Sequence, residues 1–450
     1  MTPLSWRWMY PSFTSLIRKR LKRFSSMQVL RNQMIYQVFV RNYSAQGTFK
    51  ALSADLKRIK ALGTDILYLM PIQPIGELNR KGTYGSPYAI KDYCALSPDL
   101  GNWDDFKELV DQTHALGMKL MLDMVFHHTA PDHPWTLEYP EFYHWKNGKL
   151  SNKVGDWSDI ADFEFDDNPK LIEKLTDVLR FWIDKGLDGF RFDVASMIPH
   201  QFYQSAFPAV LKLNPDLIFL AESIDQNFVD YLRYHGHTCL SDAELYAYFH
   251  ILYDYDNQIQ FLGYLHNELP LKEFIMAHRR QERMNPVDYV KARNVENHDN
   301  HRIQAYTQDK YKTLNWLAYV FMAKGIAFLH FGVETVSDHL SQLFEKDPVD
   351  WTKMDAEFVD WITKLAKLKK LEIFAQNEGY KLVDHPKDII HIEYQNKEER
   401  LVILCNISGS KGMVRIDCEE GVYKHLITGE DVDIRHGQVM LTDYPIIFKI

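Results

Sequence analysis

The chain has 450 residues, of which 46% are apolar and 25% are charged, and its formal net charge is -9. This length predicts two or three domains, and an acidic balance without a basic stripe argues against a nucleic-acid partner. No run of about 18 apolar residues occurs, so the sequence predicts no transmembrane segment. The 4 cysteines lie far apart and form no CxxC pair. This spacing argues against a zinc cluster and favours a reducing, cytoplasmic location.

The first 31 residues form a basic segment without any acidic residue. It lacks the uninterrupted apolar stretch of a signal peptide. We interpret residues 1–31 as an N-terminal extension, since Met27 lies just upstream of the first predicted strand and Met34 begins it. The alternative is a short amphipathic helix in which Leu16, Ile17 and Leu21 contact anionic lipid.

From Met34 onward, short apolar runs alternate with helical patterns such as Ser53–Gly63, Asp104–Gly117 and Tyr311–Lys324. The eight predicted strands are Met34–Val40, Asp65–Met70, Met118–Val125, Leu187–Asp193, Phe219–Glu222, Cys239–Ser241, Tyr289–Val295 and Ile326–Phe331. Strands that alternate with helices predict a parallel α/β sheet, and eight of them predict closure into a (β/α)8 TIM barrel. A doubly wound sheet is the alternative, but no glycine-rich phosphate loop follows the first strand.

Two segments interrupt the alternation, and they set the predicted domain boundaries. Residues 129–167 are rich in aromatic, Asp and His residues, and we interpret them as a short mouth domain inserted after the third strand. From residue 374 to residue 450, short alternating runs predict a C-terminal antiparallel β domain, a sandwich. The barrel itself would then comprise residues 32–128 and 168–373.

Ionisable side chains gather where the predicted strands end. They are Asp123 and His128 after the third strand, Arg191 and Asp193 at the fourth, Glu222 at the fifth, and His298 and Asp299 at the seventh. All would lie at the carboxyl-terminal rim of one barrel, where active sites of this fold are found. Two carboxylates that face one bond suit glycoside hydrolysis. Arg191 could hold Asp193 ionised, and His128 and His298 could donate to sugar hydroxyls, although either His alone could equally be an ordinary rim residue.

Four motifs in this order resemble the signature regions of the α-amylase family of glycoside hydrolases: Asp123-Met-Val-Phe-His-His128, Gly189-Phe-Arg-Phe-Asp193, Ala221-Glu222-Ser and Glu296-Asn-His-Asp299. The resemblance implies that Asp193 is the nucleophile, Glu222 the general acid/base and Asp299 a stabiliser of the transition state. It also implies retention of configuration through a covalent glycosyl-enzyme, and α-glucan or related α-glucoside substrates. Gly85-Ser-Pro-Tyr-Ala-Ile-Lys-Asp-Tyr93 resembles the loop whose Tyr, here Tyr88, stacks on the sugar that is cleaved.

Departures from the family pattern bear on metal and substrate. Where many members have an Asn calcium ligand, this chain has His127, so we expect no metal ligands and no required cofactor, and a structural calcium is doubtful. A Lys-His pair of many members is replaced by Ser196 and Met197. The run Gly325-Ile-Ala-Phe-Leu-His-Phe-Gly-Val-Glu334 looks like the family's eighth-strand motif, but Ala327 replaces its usual Pro. Ala89 stands where exo-acting α-glucosidases typically have Asp, which slightly favours maltodextrins over single terminal glucoses.

Three functional hypotheses remain open at this point. The first is a hydrolase or transglycosylase of α-glucans, and the second is an α-glucosidase or a sucrose- or trehalose-active enzyme of the same family. The third is a non-catalytic barrel that serves as a partner subunit, which the presence of all three carboxylates disfavours. The expected partner is an α-glucan or oligosaccharide, and the oligomeric state is left open.

Overall fold

The computed structural model describes residues 29–155, 157–376 and 379–450. Residues 1–28 of the predicted basic extension lie outside the described residues, and so does the alternative lipid-binding helix. Only residues 29–31 of the extension are described. Leu30 and Arg31 are buried against the barrel, and the Arg31 guanidinium donates to the Tyr289 carbonyl over 2.6 Å.

Eight parallel strands close into a barrel in sequential order, which confirms the predicted (β/α)8 fold and rules out the doubly wound sheet. The strands are β1 (Met34–Val38), β2 (Ile66–Leu69), β3 (Lys119–Met124), β4 (Gly189–Phe192), β5 (Ile218–Ala221), β6 (Ile251–Tyr253), β7 (Lys291–Arg293) and β8 (Ile326–His330). Strand β1 pairs with both β2 and β8, so the barrel has no free edge.

Helices surround the barrel and connect its strands. They span Val40–Tyr43, Phe49–Ala61, Trp103–Ala115, Pro169–Asp184, His200–Leu211, Gln226–Tyr234, Asp242–Leu245, Gln258–Leu265, Leu271–Met284, Ile303–Thr307, Lys310–Met322 and Ala356–Lys369. Their starts follow ordinary capping chemistry, as at Asn102, whose side chain accepts from the Asp105 backbone while Asp105 bonds back to Asn102.

The barrel interior changes from apolar to charged along its axis. Side chains alternate between the interior and the helix layer along each strand. The lower interior is an apolar cluster that includes Ile35, Tyr68, Met121 and Phe328. Two residues further along β1, β3, β4 and β8 come Gln37, Asp123, Arg191 and His330, all buried. The polar layer therefore lies at the carboxyl ends of the strands.

The predicted sixth strand is wrong. Ser241 is instead the N-cap of the helix Asp242–Leu245, in a capping box with Glu244, and the strand is Ile251–Tyr253. The Ser-x-x-Glu pattern was a helix-start signal that outweighs the short apolar run before it. The strand that replaces it is only three residues long and is paired with Leu220 and Ala221 of β5 and with β7.

The inserted segment after β3 contains little regular structure. His128–Thr129 pairs with Ala161–Asp162, and a small hairpin joins Trp145–Lys146 to Lys149–Leu150. A short helix at Trp135–Glu138 lies between them. The domain boundaries drawn from the sequence stay a prediction.

The C-terminal region is an antiparallel β domain, as expected. Its strands are β9 (Lys381–Val383), β10 (Ile390–Gln395), β11 (Arg400–Cys405), β12 (Met413–Arg415), β13 (Gly421–Lys424), β14 (Asp431–Ile434), β15 (Gln438–Met440) and β16 (Ile446–Lys449). A four-stranded sheet has the order β9-β10-β11-β16, and β12 pairs with β15 and β13 with β14.

Both faces of this four-stranded sheet are buried. Val402 and Leu404 of β11 pack in a cluster with β12, β14 and β15, whereas Leu401 and Ile403 belong to the core shared with the barrel. Across that junction the Tyr394 hydroxyl donates to the Met322 carbonyl over 2.9 Å. Among the residues that the structure describes, no helix combines the length and the apolar character needed to cross a bilayer.

Candidate active site

Arg191 organises the rim of the barrel. Its Nη1 lies 2.8 Å from Oδ1 of Asp123 and 2.9 Å from Oδ1 of Asp193, and its Nη2 lies 3.0 Å from Oε2 of Glu222. Asp123 is opposite Arg191 in the strand register, and Asp193 and Glu222 follow β4 and β5 directly. The predicted convergence of these four side chains is therefore present, held by one guanidinium with no exposed side-chain surface.

The charges of this cluster do not cancel, and burial shifts their titration. Burial lowers the pKa of Arg191, but Asp123 and Glu222, with Tyr68 and Tyr253, together raise it above its ordinary value, so the guanidinium stays charged. Burial raises the pKa of Asp193 well above its ordinary value, Arg191 opposes this rise, and Glu222 adds to it. The contact between Arg191 and Asp193 was expected, but burial outweighs it. An Asp193 that acts as a nucleophile must be ionised, and its contact with Arg191 is the interaction that favours the ionised form.

Val194 was not predicted from the sequence to take part in the site. Its φ of 36° and ψ of 46° are left-handed, which is rare for a β-branched residue. In this conformation its backbone N–H donates to Oε2 of Glu222 over 2.6 Å. The turn after Asp193 therefore fixes one oxygen of Glu222. No local sequence pattern predicts this turn.

Tyr88 and His298 stack beside the three carboxylates. Their ring centroids are 5.3 Å apart at an interplanar angle of 20°, and the Tyr88 hydroxyl lies 2.6 Å from Nε2 of His298. The same hydroxyl donates to Oδ2 of Asp123 over 3.2 Å. The stacked pair thus joins the loop after β2 to the loop after β7.

Asp299 lies beyond this pair, next to a tyrosine that the sequence did not single out. The Tyr255 hydroxyl accepts from the Asn297 amide over 2.7 Å and donates to Oδ2 of Asp299 over 3.5 Å. The Asp299 side chain is 44% exposed, yet the loss of hydration in the cavity raises its pKa, and Arg191 opposes the rise. A Tyr on the loop after β6 could have been noticed only with the correct sixth strand.

A cavity of about 380 Å³ opens onto these groups. Its lining includes five of the predicted site residues, Tyr88, His128, Asp193, Glu222 and Asp299. Aromatic side chains that were not predicted complete it, namely Trp157, Phe228, Tyr255 and Phe344. Apolar rings with a few converging carboxylates are typical of a sugar-binding cleft.

His127, His128 and Asp162 form the group of three that could hold a metal ion in the described part of the chain. Nδ1 of His127 lies 3.2 Å from Nδ1 of His128 and 3.6 Å from Oδ1 of Asp162. Burial lowers the pKa of both histidines to about 3, so both rings are neutral at neutral pH. Two nitrogens and one oxygen suit a transition metal better than calcium, which prefers oxygen.

Comparison with known proteins places these features in a family. The model described as "Alpha amylase, catalytic domain" matches residues 31–160 and 154–360, and "Bacterial Alpha amylase C-terminal domain" matches residues 381–448. An alpha-amylase structure from Lactobacillus plantarum is similar, with 39% identity, a TM-score of 0.90 and coverage of 94% of this chain and 100% of that one. A noncanonic maltogenic alpha-amylase from Thermotoga neapolitana has 27% identity and a TM-score of 0.83, over 94% of this chain and 99% of its own.

Curated relatives match over a shorter stretch. An alpha-1,4-glucan:maltose-1-phosphate maltosyltransferase from Corynebacterium glutamicum is 36% identical over 222 residues, which are 45% of this chain and 32% of the relative. A protein of the same name from Cereibacter sphaeroides is 36% identical over 212 residues, 42% of this chain and 36% of the relative. The chain thus spans about a third of the length of these relatives.

Proposed function

This chain belongs to the α-amylase family, and from that premise we propose that it cleaves α-glucosidic bonds of α-glucans or maltodextrins with retention of configuration. One observation carries the proposal. Asp193 accepts a hydrogen bond from the Arg191 guanidinium at 2.9 Å, Nη2 of the same guanidinium lies 3.0 Å from Oε2 of Glu222 in an ion pair, and both carboxyl groups line one cavity. A retaining glycosidase needs two neighbouring carboxyl groups, because one attacks the anomeric carbon while the other protonates the oxygen that leaves it.

In the first step Asp193 attacks the anomeric carbon while Glu222 protonates the leaving oxygen, which breaks the glycosidic bond and leaves the sugar esterified to Asp193. In the second step Glu222 takes a proton from an incoming hydroxyl, and that oxygen displaces Asp193. Oε2 of Glu222 is held by Val194 and Arg191, which leaves Oε1 to carry the transferred proton. Asp299 lines the same cavity and would bind sugar hydroxyls as positive charge develops at the anomeric carbon.

The second candidate function is transfer of the glycosyl group to a sugar acceptor rather than to water. The curated relatives at 36% identity are named as maltosyltransferases, although the match covers about a third of their length. Both functions share the glycosyl-enzyme and differ in the acceptor that reaches it. Ile224 and Phe228 line the cavity, and their apolar side chains favour contact with the face of a sugar acceptor over contact with bulk water.

The test is product analysis after incubation with maltoheptaose, sucrose, trehalose and isomaltose. We expect shorter maltodextrins from maltoheptaose, with the α-anomer formed first in a proton NMR time course. Maltose 1-phosphate with a glucan acceptor tests transfer, because chain elongation with phosphate release would identify a maltosyltransferase. Initial formation of the β-anomer would contradict retention, and inactivity on every α-glucoside would contradict the proposal as a whole.

A further inference from the structure

A chain of buried hydrogen bonds runs from β8 to the active site. Nδ1 of His330 lies 2.7 Å from Oε1 of Gln37, and Nε2 of Gln37 lies 3.0 Å from Nδ1 of His298. Gln37 and His330 are paired in the barrel register and are no more than 1% exposed. His298 continues the chain to the Tyr88 hydroxyl at 2.6 Å.

The direction of these hydrogen bonds is set by the carboxylate at the far end. Both oxygens of Asp123 accept from Nη1 of Arg191, and Oδ2 also accepts from the Tyr68 hydroxyl over 2.5 Å. Tyr88 has one proton, which it donates to Asp123 over 3.2 Å. The Tyr88 oxygen must then accept, so its partner, Nε2 of His298, must carry a proton.

A second contact, an ion-pair distance, favours the same proton position. Nε2 of His298 also lies 3.2 Å from Oδ2 of Asp299, and a carboxylate can only accept. Burial lowers the pKa of His298 to about 4, with Arg191 adding to the shift, so the ring is neutral at neutral pH and carries one proton. Its Nδ1 therefore presents a lone pair, which the Gln37 amide N–H satisfies, and Oε1 of Gln37 in turn accepts from His330.

We infer that Gln37 and His330 are positioning residues, which hold the single proton of His298 on Nε2, where it faces Tyr88 and Asp299. This inference rests on the proposed function, because the held N–H is useful for binding a sugar hydroxyl in the cavity that Tyr88 and Asp299 line. If the Gln37 amide were reversed, its oxygen would require the proton on Nδ1, and Nε2 would lose its N–H. The orientation of the buried Gln37 amide thus decides whether Nε2 of His298 can donate a hydrogen bond into the active site.

The direct test is the tautomer of His298 in the full chain. Long-range nitrogen–proton NMR of protein with labelled histidine distinguishes the two ring nitrogens, and the His298→Gln spectrum assigns the signal. We expect protonated Nε2 and unprotonated Nδ1 in the wild type at pH 7. Protonated Nδ1 would overturn the inference.

The functional test is Gln37→Glu. A carboxylate can only accept from both neighbours, so the neutral His298 ring must move its proton to Nδ1, and kcat/KM on maltoheptaose should fall about 10-fold or more at pH 7. The charged ring carries protons on both nitrogens, and the nearby carboxylate raises its pKa. Activity should therefore recover as pH falls through that pKa, which adds a descending limb to the one that loss of the Glu222 proton gives the wild type. The charged and titratable groups facing His298 are Arg191, Asp123, Glu222, Asp299, Tyr88 and His330.

Two further variants separate positioning from stability. Gln37→Leu should lose activity without recovery at low pH, because no added charge favours the protonated ring. Gln281→Leu is the matched control, since Gln281 is also a buried amide, bonded to Asp254 at 2.7 Å and Arg293 at 2.8 Å away from this cavity. It should lower the melting temperature but leave the shape of the pH profile unchanged.

A Gln37→Glu enzyme with the kcat/KM and the pH profile of the wild type would overturn the inference. If instead the wild type were inactive on every α-glucoside, the proposed function would fail, while the tautomer measurement would still decide the role of Gln37 and His330.

Discussion

At the scale of single residues, Val194 shows how the backbone serves the chemistry. A β-branched residue in the left-handed region costs of the order of 1–3 kcal/mol, and here the conformation directs a backbone N–H at Glu222. The adjacent Asp193 keeps its bond to Arg191. The strained turn therefore holds the two carboxyl groups in different hydrogen-bond environments, which different roles require.

We predict that Glu222→Gln and Asp193→Asn differ in their response to the leaving group. Glu222→Gln should lose about 10²–10⁴-fold activity on maltoheptaose but much less on an α-maltosyl fluoride, whose leaving group needs no proton. The second step still lacks its base, so the sugar should accumulate on Asp193, where mass spectrometry of a peptic digest would detect it. Asp193→Asn should be inactive on both substrates. Equal losses on both substrates for Glu222→Gln, without trapped sugar, would refute these roles.

At the scale of secondary structure elements, β4 depends on the absence of a side chain at its first residue. A Cβ built on Gly189 would lie 2.5 Å from the Ile218 carbonyl oxygen and 3.2 Å from Cβ of Ile218 on the neighbouring strand. The backbone oxygen cannot move without breaking the pairing of β4 with β5. This pairing also sets the distance between Asp193 and Glu222.

We therefore predict that Gly189→Ala lowers the free energy of unfolding by about 1–3 kcal/mol, or more if the barrel cannot shift. Urea denaturation followed by circular dichroism measures the loss. Gly155→Ala is the matched control, because a Cβ there has no heavy atom within 4 Å and should change stability little. Equal stability of the two variants would show that β4 and β5 can separate without cost.

Strand β10 contributes a pH-dependent element to the C-terminal sheet. Burial raises the pKa of Glu393, but hydrogen bonds from His391, Lys381 and Arg400 lower it to about 2. Because the folded pKa lies below the ordinary value, the carboxylate contributes stability above the unfolded pKa. That contribution is lost as pH falls towards about 2.

Glu393→Gln should accordingly lower the melting temperature at pH 7, and the gap to the wild type should narrow as pH falls from about 4.5 to about 2. Calorimetry at a series of pH values checks this. The exposed Glu173 supplies the control, since Glu173→Gln should show no such narrowing. A gap that stays constant with pH would contradict the assignment of the shift to Glu393.

At the scale of the whole molecule, the C-terminal sheet completes the core of the barrel. The side chain of Asn315, on the helix Lys310–Met322, donates to the Asp443 carbonyl over 2.8 Å and accepts from the Asn406 backbone over 2.6 Å. With Leu401 and Ile403 in the shared core, the two regions bury apolar surface against each other.

The inserted segment is joined to the barrel through His127, His128 and Asp162. Oδ2 of Asp162 accepts from the Lys153 backbone over 2.7 Å. A nitrogen of His127 stands where calcium would prefer an oxygen ligand. We predict that exhaustive dialysis against EDTA leaves activity and melting temperature nearly unchanged. A loss that calcium restores would show that other oxygen ligands compensate. A loss that zinc but not calcium restores would assign these three residues to a transition metal.

The sequence by itself determined the barrel and the convergence of the charged residues. Buried parallel strands read as apolar runs, and a carboxylate or guanidinium at the end of such a run must lie at the rim when the strands are parallel. The sequence alone therefore predicted that four side chains lie close together, namely Asp123, Arg191, Asp193 and Glu222. The C-terminal antiparallel region was predicted because the spacing of apolar residues changes after the last helix, from the helical period to the alternation typical of strands.

Only the tertiary structure decided the position of the sixth strand and the partners of the site. Ile251–Tyr253 is too short to stand out locally, and its pairing with β5 and β7 makes it a strand. The cavity positions of Trp157 and Tyr255 depend on loops from different parts of the chain. The bonds from Gln37 to His298 and His330 span 261 and 293 residues. Such contacts form between residues that no local pattern relates, so folding alone brings them within hydrogen-bond distance.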